Sequence, residues 1–288
     1  MHRSMVSAAV ALLIVTCCCP LQAEQHTQQS GLQKRAILLV AFGTTHNDAL
    51  KAYDMVEARV RQAFPDVPLR WAYTSRMVRH KLAQKGQEVP SPAQALASML
   101  DEGIERVAVQ SLHVIPGSEY RDLCAVVRGF RLMPAMKEIV LGRPLLGSQA
   151  DMERVRKALE AIASKESASH LFIGHGTHHP SNAFYTALAY RLEQGGSRAF
   201  LGTVEGYPDR GTVFKGLRAS DRRKVVLHPF MVVAGDHAKN DIAGPGSGSW
   251  KSELESRGYA CEAVLKGLGE YESLASIWVD HLRSALEQ

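Results

Sequence analysis

Two stretches of this chain, far apart along the sequence, carry the same order of residue types. Their sequences are VAVQSLHVIPGSEY at positions 107–120 and VVLHPFMVVAGDHA at positions 225–238. Each starts as an apolar run, typical of a strand buried on both faces of a parallel sheet, and continues into a glycine and polar residues. When the stretches are aligned, Gly117 matches Gly235 and Glu119 matches His237. The chain therefore repeats a strand and its turn but changes the chemistry at the turn.

A second pair of stretches supports the repeat. Positions 36–46 (AILLVAFGTTH) and 171–179 (LFIGHGTHH) are both apolar segments that lead into a Gly-Thr pair and a histidine, and Phe42 stands where His175 stands. Helical patterns lie between the predicted strands, and alternating strands and helices favour a parallel sheet covered by helices. We therefore predict an α/β fold of two similar domains. Each is a parallel sheet flanked by helices, with an active-site cleft between the domains.

The boundary between the two domains is predicted in the turn-forming residues 142–148. This divides the chain into an N-terminal α/β domain at 36–147 and a C-terminal α/β domain at 148–288. A chain of 288 residues is long enough for each domain to have its own core. The last helix, predicted to begin near Glu270, is the one element that could pack back on the N-terminal domain.

The first residues have the composition of a secretory signal. A basic residue precedes an apolar run at positions 5–16, and positions 21–23 (LQA) resemble a cleavage site ahead of a polar segment. We predict a signal peptide at 1–23, a flexible segment at 24–35 and a periplasmic location. The apolar run is shorter than the roughly 20 residues that span a membrane, so no membrane attachment is expected after cleavage. Lipidation at Cys17 is the alternative that the sequence leaves open.

Charge and cysteine content narrow the classes of partner. The formal net charge of +5 and a pI of about 9.0 favour an acidic partner. The basic residues are scattered, and because no nucleic-acid-binding motif accompanies them, a polyanionic small molecule is a better match than nucleic acid. Three of the five cysteines lie at positions 17–19. Cys124 and Cys261 remain, too few for a disulfide scaffold.

Three polar side chains follow predicted strands of the second domain. They are His175, Glu205 and His237. Ligands of open parallel sheets bind outside the carboxyl ends of the strands, where these side chains are expected to converge. Two imidazoles and one carboxylate can hold an exchangeable divalent metal ion. For Glu205 the alternative is a solvated carboxylate in a turn. For His237 it is a position next to a helix cap formed by Asp236.

At these residues the chain resembles the class II chelatases, and within them the single-subunit sirohydrochlorin cobaltochelatases. The resemblance runs from Ala36 to the C-terminus and is carried by several short stretches. They are Phe42-Gly43-Thr44, Thr74-Ser75-Arg76-Met77, positions 110–120, Gly174-His175-Gly176-Thr177, Glu205-Gly206-Tyr207-Pro208, positions 233–238 and Ser249-Trp250-Lys251. The resemblance implies two α/β domains that face each other across a cleft for a flat macrocycle.

The resemblance also implies an activity and its residues. The activity is insertion of Co²⁺, with Fe²⁺ as a further metal substrate, into sirohydrochlorin, an acidic tetrapyrrole of cobalamin and sirohaem biosynthesis. His175 is implied as the principal base and a metal ligand, and His237 and Glu205 as completing both the catalytic group and the metal site. The opposite wall offers possible tetrapyrrole contacts. These are Phe42, Thr44, Arg76 and Glu119.

The biosynthetic pathway of the implied activity is cytoplasmic, whereas this chain is predicted to be exported. This keeps a second hypothesis open, namely a periplasmic carrier that binds a metal or haem without turnover. His46 and His113 exceed what the predicted site needs, and core or surface roles are the expectation for them, with an additional metal or haem site as the alternative. The sequence does not determine the choice of cobalt or iron, and it allows a homo-oligomer without indicating one.

Overall fold

A computed structural model of the chain describes residues 35–164 and 167–287. The predicted signal peptide lies outside the described residues, and so does the predicted flexible segment except for Arg35, which begins the first strand. Among the described helices, none is long and apolar enough to cross a membrane.

The first half of the described chain forms a parallel four-stranded sheet with helices on both faces. Its strands are β1 (Arg35–Ala41), β2 (Leu69–Tyr73), β3 (Arg106–Ser111) and β4 (Glu138–Gly142). Its helices are α1 (Lys51–Ala63), α2 (Arg76–Ala83), α3 (Pro92–Asp101) and α4 (Ser118–Arg131). The strand order is β2-β1-β3-β4, and all three pairings are parallel.

The second half repeats this architecture. Its strands are β5 (Ser169–Gly174), β6 (Ala199–Thr203), β7 (Lys224–Pro229) and β8 (Ala260–Ala263). Its helices are α5 (Gln149–Ala163), α6 (Ala183–Gln194), α7 (Arg210–Ala219), α8 (Trp250–Ser256) and α9 (Glu272–Leu286). The strand order β6-β5-β7-β8 is the order of the first sheet, again with parallel pairings. The predicted duplicated α/β fold is therefore confirmed.

Local sequence signals account for many of the element ends. Ser91 caps α3, because its hydroxyl accepts the backbone N–H of Gln94 while the Gln94 side chain accepts the backbone N–H of Ser91. β7 ends at Pro229, which has no N–H to continue the ladder. The strand predicted to continue to residue 233 is therefore shorter in the structure, and the strand predicted to continue to residue 115 ends at Ser111. Helices α2, α4 and α7 and strand β4 were not predicted.

The C-terminal helix joins the two halves. Helix α9 lies against β3, β4 and α1 of the first half and against α5. Trp278 and Leu282 of this helix are fully buried in a core to which both sheets contribute. Within the same contact His281 Nε2 lies 2.8 Å from Asp151 Oδ1 of α5, and both side chains are buried. The two sheets are therefore held in a common core as well as joined along the chain.

Candidate metal centre and substrate cleft

Two of the predicted site residues are in direct contact. Strands β5 and β7 pair side by side, so their carboxyl ends lie at the same edge of the sheet. His175 follows β5 directly, and His237 follows the turn that leaves β7. Their Nε2 atoms are 3.1 Å apart, and their rings are perpendicular with centroids 4.4 Å apart. The fold thus brings together two imidazoles that are separated by 62 residues in the sequence.

Hydrogen bonds at the far side of each ring define which nitrogen carries the proton. His175 Nδ1 lies 2.9 Å from the carbonyl oxygen of Gly176, and His237 Nδ1 lies 2.7 Å from Asp241 Oδ2. A carbonyl or an ionised carboxylate only accepts, so each Nδ1 donates and each neutral ring keeps its lone pair on Nε2.

The two lone pairs face each other at a spacing that suits a cation. Two nitrogens bound at about 2.1 Å to one metal ion are roughly 3.0–3.4 Å apart, depending on the coordination angle. The 3.1 Å between the Nε2 atoms lies in this range. Without a positive charge between them the facing lone pairs repel, so the arrangement is suited to a divalent metal or a proton.

A glycine makes the turn after β5 possible. Gly176 has a φ of +79°, and a Cβ at this position would lie 1.5 Å from the carbonyl oxygen of Glu205. In the other direction the Glu205 N–H donates to the His175 carbonyl at 2.7 Å. The backbones after β5 and β6 therefore pack in contact, and this contact holds His175 in place.

Glu205 contacts His175 through its backbone, whereas its side chain is exposed. Within residues 35–164 and 167–287, no group of three His, Cys, Asp or Glu side chains is placed to hold a metal ion. The structure therefore assembles the two imidazoles of the predicted ligand set but not the carboxylate. Asp236, considered as a helix cap, instead accepts from the Asn240 side chain at 3.1 Å.

The predicted substrate contacts of the first half differ in accessibility. Phe42 is 48% exposed at the end of β1, which is unusual for a phenylalanine and leaves its ring available. Arg76, the first residue of α2, is exposed and forms no ion pair with any residue in the described part of the chain. Glu119 is half-buried in the first turn of α4. Thr44 is buried, and its hydroxyl accepts the backbone N–H of His46.

The two halves meet on both sides of the cleft. On one side, the turn after β7 contacts the turn after β1, because His46 Nε2 lies 3.4 Å from Asp236 Oδ1. On the other side, Arg121 Nη1 of α4 lies 2.9 Å from His179 Nε2 in the turn after β5. These contacts set the distance between the walls of the cleft.

The surplus histidines have protein partners. His46 Nε2 lies 3.4 Å from Asp236 Oδ1 of the second half. His113 lies between the hydroxyls of Ser111, at 2.9 Å from Nδ1, and Thr74, at 3.4 Å from Nε2. Burial lowers the pKa of His113 to about 4. These contacts do not favour the additional metal or haem site that was considered for the two histidines.

Sequence reasoning missed Asp241, the carboxylate that contacts His237. The two residues are four positions apart, which is the spacing of neighbours on one face of a helix. That spacing is visible in the sequence, but a helical turn at 238–242 was not predicted. The turn is π-helical, and such turns occur frequently at functional sites.

Solved structures of chelatases share this architecture. SirB from Bacillus subtilis subspecies spizizenii, a sirohydrochlorin chelatase in complex with cobalt, matches with a TM-score of 0.59 and 15% identity over 88% of this chain and 96% of its own. SirB from Bacillus subtilis with Fe³⁺ matches with a TM-score of 0.58 and 16% identity, over 88% of this chain and 95% of its own. CbiX, the terminal enzyme for biosynthesis of siroheme in denitrifying bacteria, matches with a TM-score of 0.53 and 18% identity, over 87% of this chain and 99% of its own. At these identities the likeness shows the fold alone, a two-domain α/β chelatase fold.

The chain belongs to the cobalt chelatase (CbiK) family, whose model matches residues 35–287. It is 39% identical to the sirohydrochlorin cobaltochelatase CbiKC of Nitratidesulfovibrio vulgaris, over 92% of this chain and 94% of the relative. It is 36% identical to the sirohydrochlorin cobaltochelatase of Salmonella typhimurium, over 88% of this chain and 97% of the relative. These matches confirm the predicted family and support a chelatase enzyme over the carrier hypothesis.

Proposed function

We propose that this protein inserts Co²⁺ into sirohydrochlorin. The observation that carries the proposal is the pair of facing imidazoles, His175 and His237, with Nε2 atoms 3.1 Å apart at the strand ends of a cobalt chelatase family fold. The metal ion is a substrate, so a site that holds it must also release it. Two neutral nitrogen ligands suit this requirement better than a closed shell of charged ligands.

His175 and His237 bind the incoming ion, and Glu205 approaches it as a third ligand. The exposed carboxylate of Glu205 has to turn toward the ion for this step, because its backbone is already fixed against His175. One carboxylate offsets part of the ion's charge and helps to strip its water. The open remainder of the coordination shell faces the cleft, where the pyrrole nitrogens replace water.

The macrocycle lies in the cleft with its face toward the opposite wall. Phe42 offers a ring face for stacking, and the exposed guanidinium of Arg76 is available to a substrate carboxylate in a bidentate pair. The formal net charge of +5 favours approach of a polyanionic ring. Glu119 orients the metal or relays protons from the other side of the cleft.

Insertion removes two pyrrole protons as one divalent ion enters, so the charge of the ring is unchanged. Each imidazole nitrogen that releases the metal regains a lone pair and can accept a proton. His175 acts as the principal base in this step. Histidine is the side chain that most often serves as a general base, and it can return the proton to water after each turnover.

The test is the absorbance change when protein, sirohydrochlorin and Co²⁺ are mixed without oxygen. We expect the wild-type protein to accelerate insertion, and the His175→Ala variant to lose about 100-fold or more of that acceleration. His178→Ala is the matched control, because His178 is an exposed histidine in the same turn without a contact to His237. Full acceleration by His175→Ala would contradict the proposal.

Two further assignments belong to the same proposal. Fe²⁺ is accepted as an alternative metal substrate, since imidazole and carboxylate ligands bind both ions, and the same assay with Fe²⁺ tests this.

A periplasmic location is supported by the apolar run at positions 5–16 and the LQA sequence at 21–23. Cell fractionation with N-terminal sequencing of the mature protein tests it. A purified protein that begins before residue 21 and remains in the cytoplasm would contradict export.

A further inference from the structure

The contact between Asp241 and His237 is a feature of the metal centre to which no role has been assigned. Asp241 Oδ2 lies 2.7 Å from His237 Nδ1, a short distance typical of a hydrogen bond to an ionised acceptor. In the described part of the chain, His237 is the hydrogen-bonding and ion-pairing partner of Asp241. The carboxylate therefore contacts the site through one imidazole.

The neighbouring side chains of the same turn point to other partners. Asp236 accepts from the Asn240 side chain and lies near His46, and Lys239 donates to Asp48 of the first half at 2.9 Å. The π-helical turn Ala238–Ile242 thus carries several charged or polar side chains. Asp241 is the one whose carboxylate meets the ring of His237.

The duplication gives a second and independent indication. His237 aligns with Glu119 of the first half, and by the same alignment Asp241 aligns with Leu123. Leu123 is buried on a regular α-helix, α4, and contributes to the core of the first half. The imidazole and its carboxylate are thus present together in one half and absent together from the equivalent positions of the other.

From this geometry we propose that Asp241 is a positioning residue for Co²⁺ capture, acting through His237. The hydrogen bond keeps the proton on Nδ1, holds the ring in one orientation and directs the Nε2 lone pair toward His175. A carboxylate behind a ligating imidazole also raises the basicity of the ligating nitrogen. His175 has only a backbone carbonyl in this place, so the two ligands of the ion are unequal.

The inference rests on the proposed function, and direct metal binding tests it without turnover. Co²⁺ alone is titrated into the protein, and the visible d–d bands of Co²⁺ report the Kd and the ligand geometry. We expect Asp241→Ala to raise the Kd about 10- to 100-fold. Asp241→Asn should raise it less, because an amide oxygen can still accept the Nδ1 proton although it lacks the charge. In the insertion assay, the KM for Co²⁺ should rise more than kcat falls.

The matched control is Asp236→Asn. It removes the same charge from the same turn, but Asp236 contacts His46 and Asn240 rather than His237. The Asp241 side chain is 41% exposed, so its variants should fold, and equal thermal unfolding midpoints would verify this. Asp241 variants with the wild-type Kd and Co²⁺ spectrum would overturn the inference, as would an equal loss in Asp236→Asn.

His237→Ala separates failure of this inference from failure of the proposed metal site. If His237→Ala loses Co²⁺ binding and Asp241→Ala does not, the role of Asp241 is wrong and the metal site stands. If neither variant loses binding, the ion is held elsewhere, and both the inference and the ligand assignment are overturned.

Discussion

The turn after β1 and the turn after β5 have similar backbones and different chemistry. Each begins with the residue that directly follows the strand, Phe42 or His175, and continues into a glycine with positive φ, +102° at Gly43 and +79° at Gly176. A Cβ would be too close to other atoms at both glycines, in the first half to the ring of Tyr73. The close packing of the turn is thus common to both halves, whereas the side chain that faces the cleft differs.

The turns after β3 and β7 show the same division at a second place. Glu119 lies in the first turn of a regular helix in the first half, while His237 precedes a π-helical turn in the second. The two halves share strand order, strand-end glycines and the placement of contacts across the cleft. The side chains proposed as metal ligands, His175, His237 and Glu205, all belong to the second half. A duplicated scaffold can therefore acquire a site by changing a few positions that do not support the backbone.

The largest effect is expected when the second half is given the chemistry of the first. His237→Glu replaces an imidazole by its first-half counterpart and places a carboxylate next to Asp241. Because the lone pair opposite His175 is lost, we expect Co²⁺ insertion to fall by about 100-fold or more, as measured by absorbance. At the equivalent position of the first half, Glu119→Gln should reduce Co²⁺ insertion by less than about 10-fold, because Glu119 is proposed to assist the reaction and not to bind the metal directly. Equal losses would mean that the halves contribute equally.

The shared glycines are the next test. An alanine with positive φ costs about 1–2 kcal/mol, and overpacking adds about 1–3 kcal/mol. Gly176→Ala should therefore reduce the free energy of unfolding by about 2–5 kcal/mol, as measured by denaturant titration, because its Cβ would meet the fixed backbone of Glu205. Gly43→Ala should have a comparable effect through the ring of Tyr73. Gly86→Ala is the control, since its φ is +75° and a Cβ there has nothing within 4 Å.

The duplicated fold and the pairing of two strand-end histidines could be anticipated because both depend on local patterns. Apolar runs and Gly-Thr turns repeat at matching places, and parallel strands place their carboxyl ends at one edge. Other features depend on details that no local pattern records. The role of Asp241 needs a π-helical turn, and the buried contact of Asp151 with His281 needs the return of the last helix. The exposure of the Glu205 side chain depends on a turn in which the Glu205 backbone, and not its side chain, contacts His175.

The next comparison concerns one buried position in each sheet. Gln110 of β3 aligns with His228 of β7, which stacks on Phe172 and lies 3.0 Å from His170. Burial, together with the neighbouring His170, lowers the pKa of His228 to about 3. Below the unfolded pKa of about 6.5, the unfolded chain takes up a proton at this position and the folded chain does not. Stability should therefore be constant above that pH and fall as the pH drops toward 3.

The measurement is urea unfolding between pH 7.5 and pH 4. One such histidine changes the free energy of unfolding by up to about 1.4 kcal/mol per pH unit. His228→Gln installs the first-half residue and should flatten this dependence. His113, with a pKa lowered to about 4 by burial, adds a similar slope that the variant leaves in place. An unchanged pH dependence in His228→Gln would show that the histidine titrates alike in both states.

The smallest effects are expected at the two bridges between the halves, which occupy equivalent places. Lys239 aligns with Arg121, and His46 aligns with His179. Lys239 donates a hydrogen bond to Asp48 and approaches His46, whereas Arg121 contacts the imidazole of His179. One bridge thus pairs opposite charges, and the other pairs a cation with an imidazole.

This difference predicts how each bridge responds to salt. Lys239 lowers the pKa of Asp48 through a hydrogen bond and their opposite charges, so Lys239→Ala should raise that pKa, as measured by NMR titration. Since both side chains reach solvent, about 1 M salt should raise the pKa of Asp48 in the wild type toward the value in the variant. Arg121→Ala should cost about 0.5–1.5 kcal/mol of stability with little salt dependence, because this contact pairs a guanidinium with an imidazole rather than with an opposite charge. An equally strong salt response of the two bridges would contradict this difference between the two walls of the cleft.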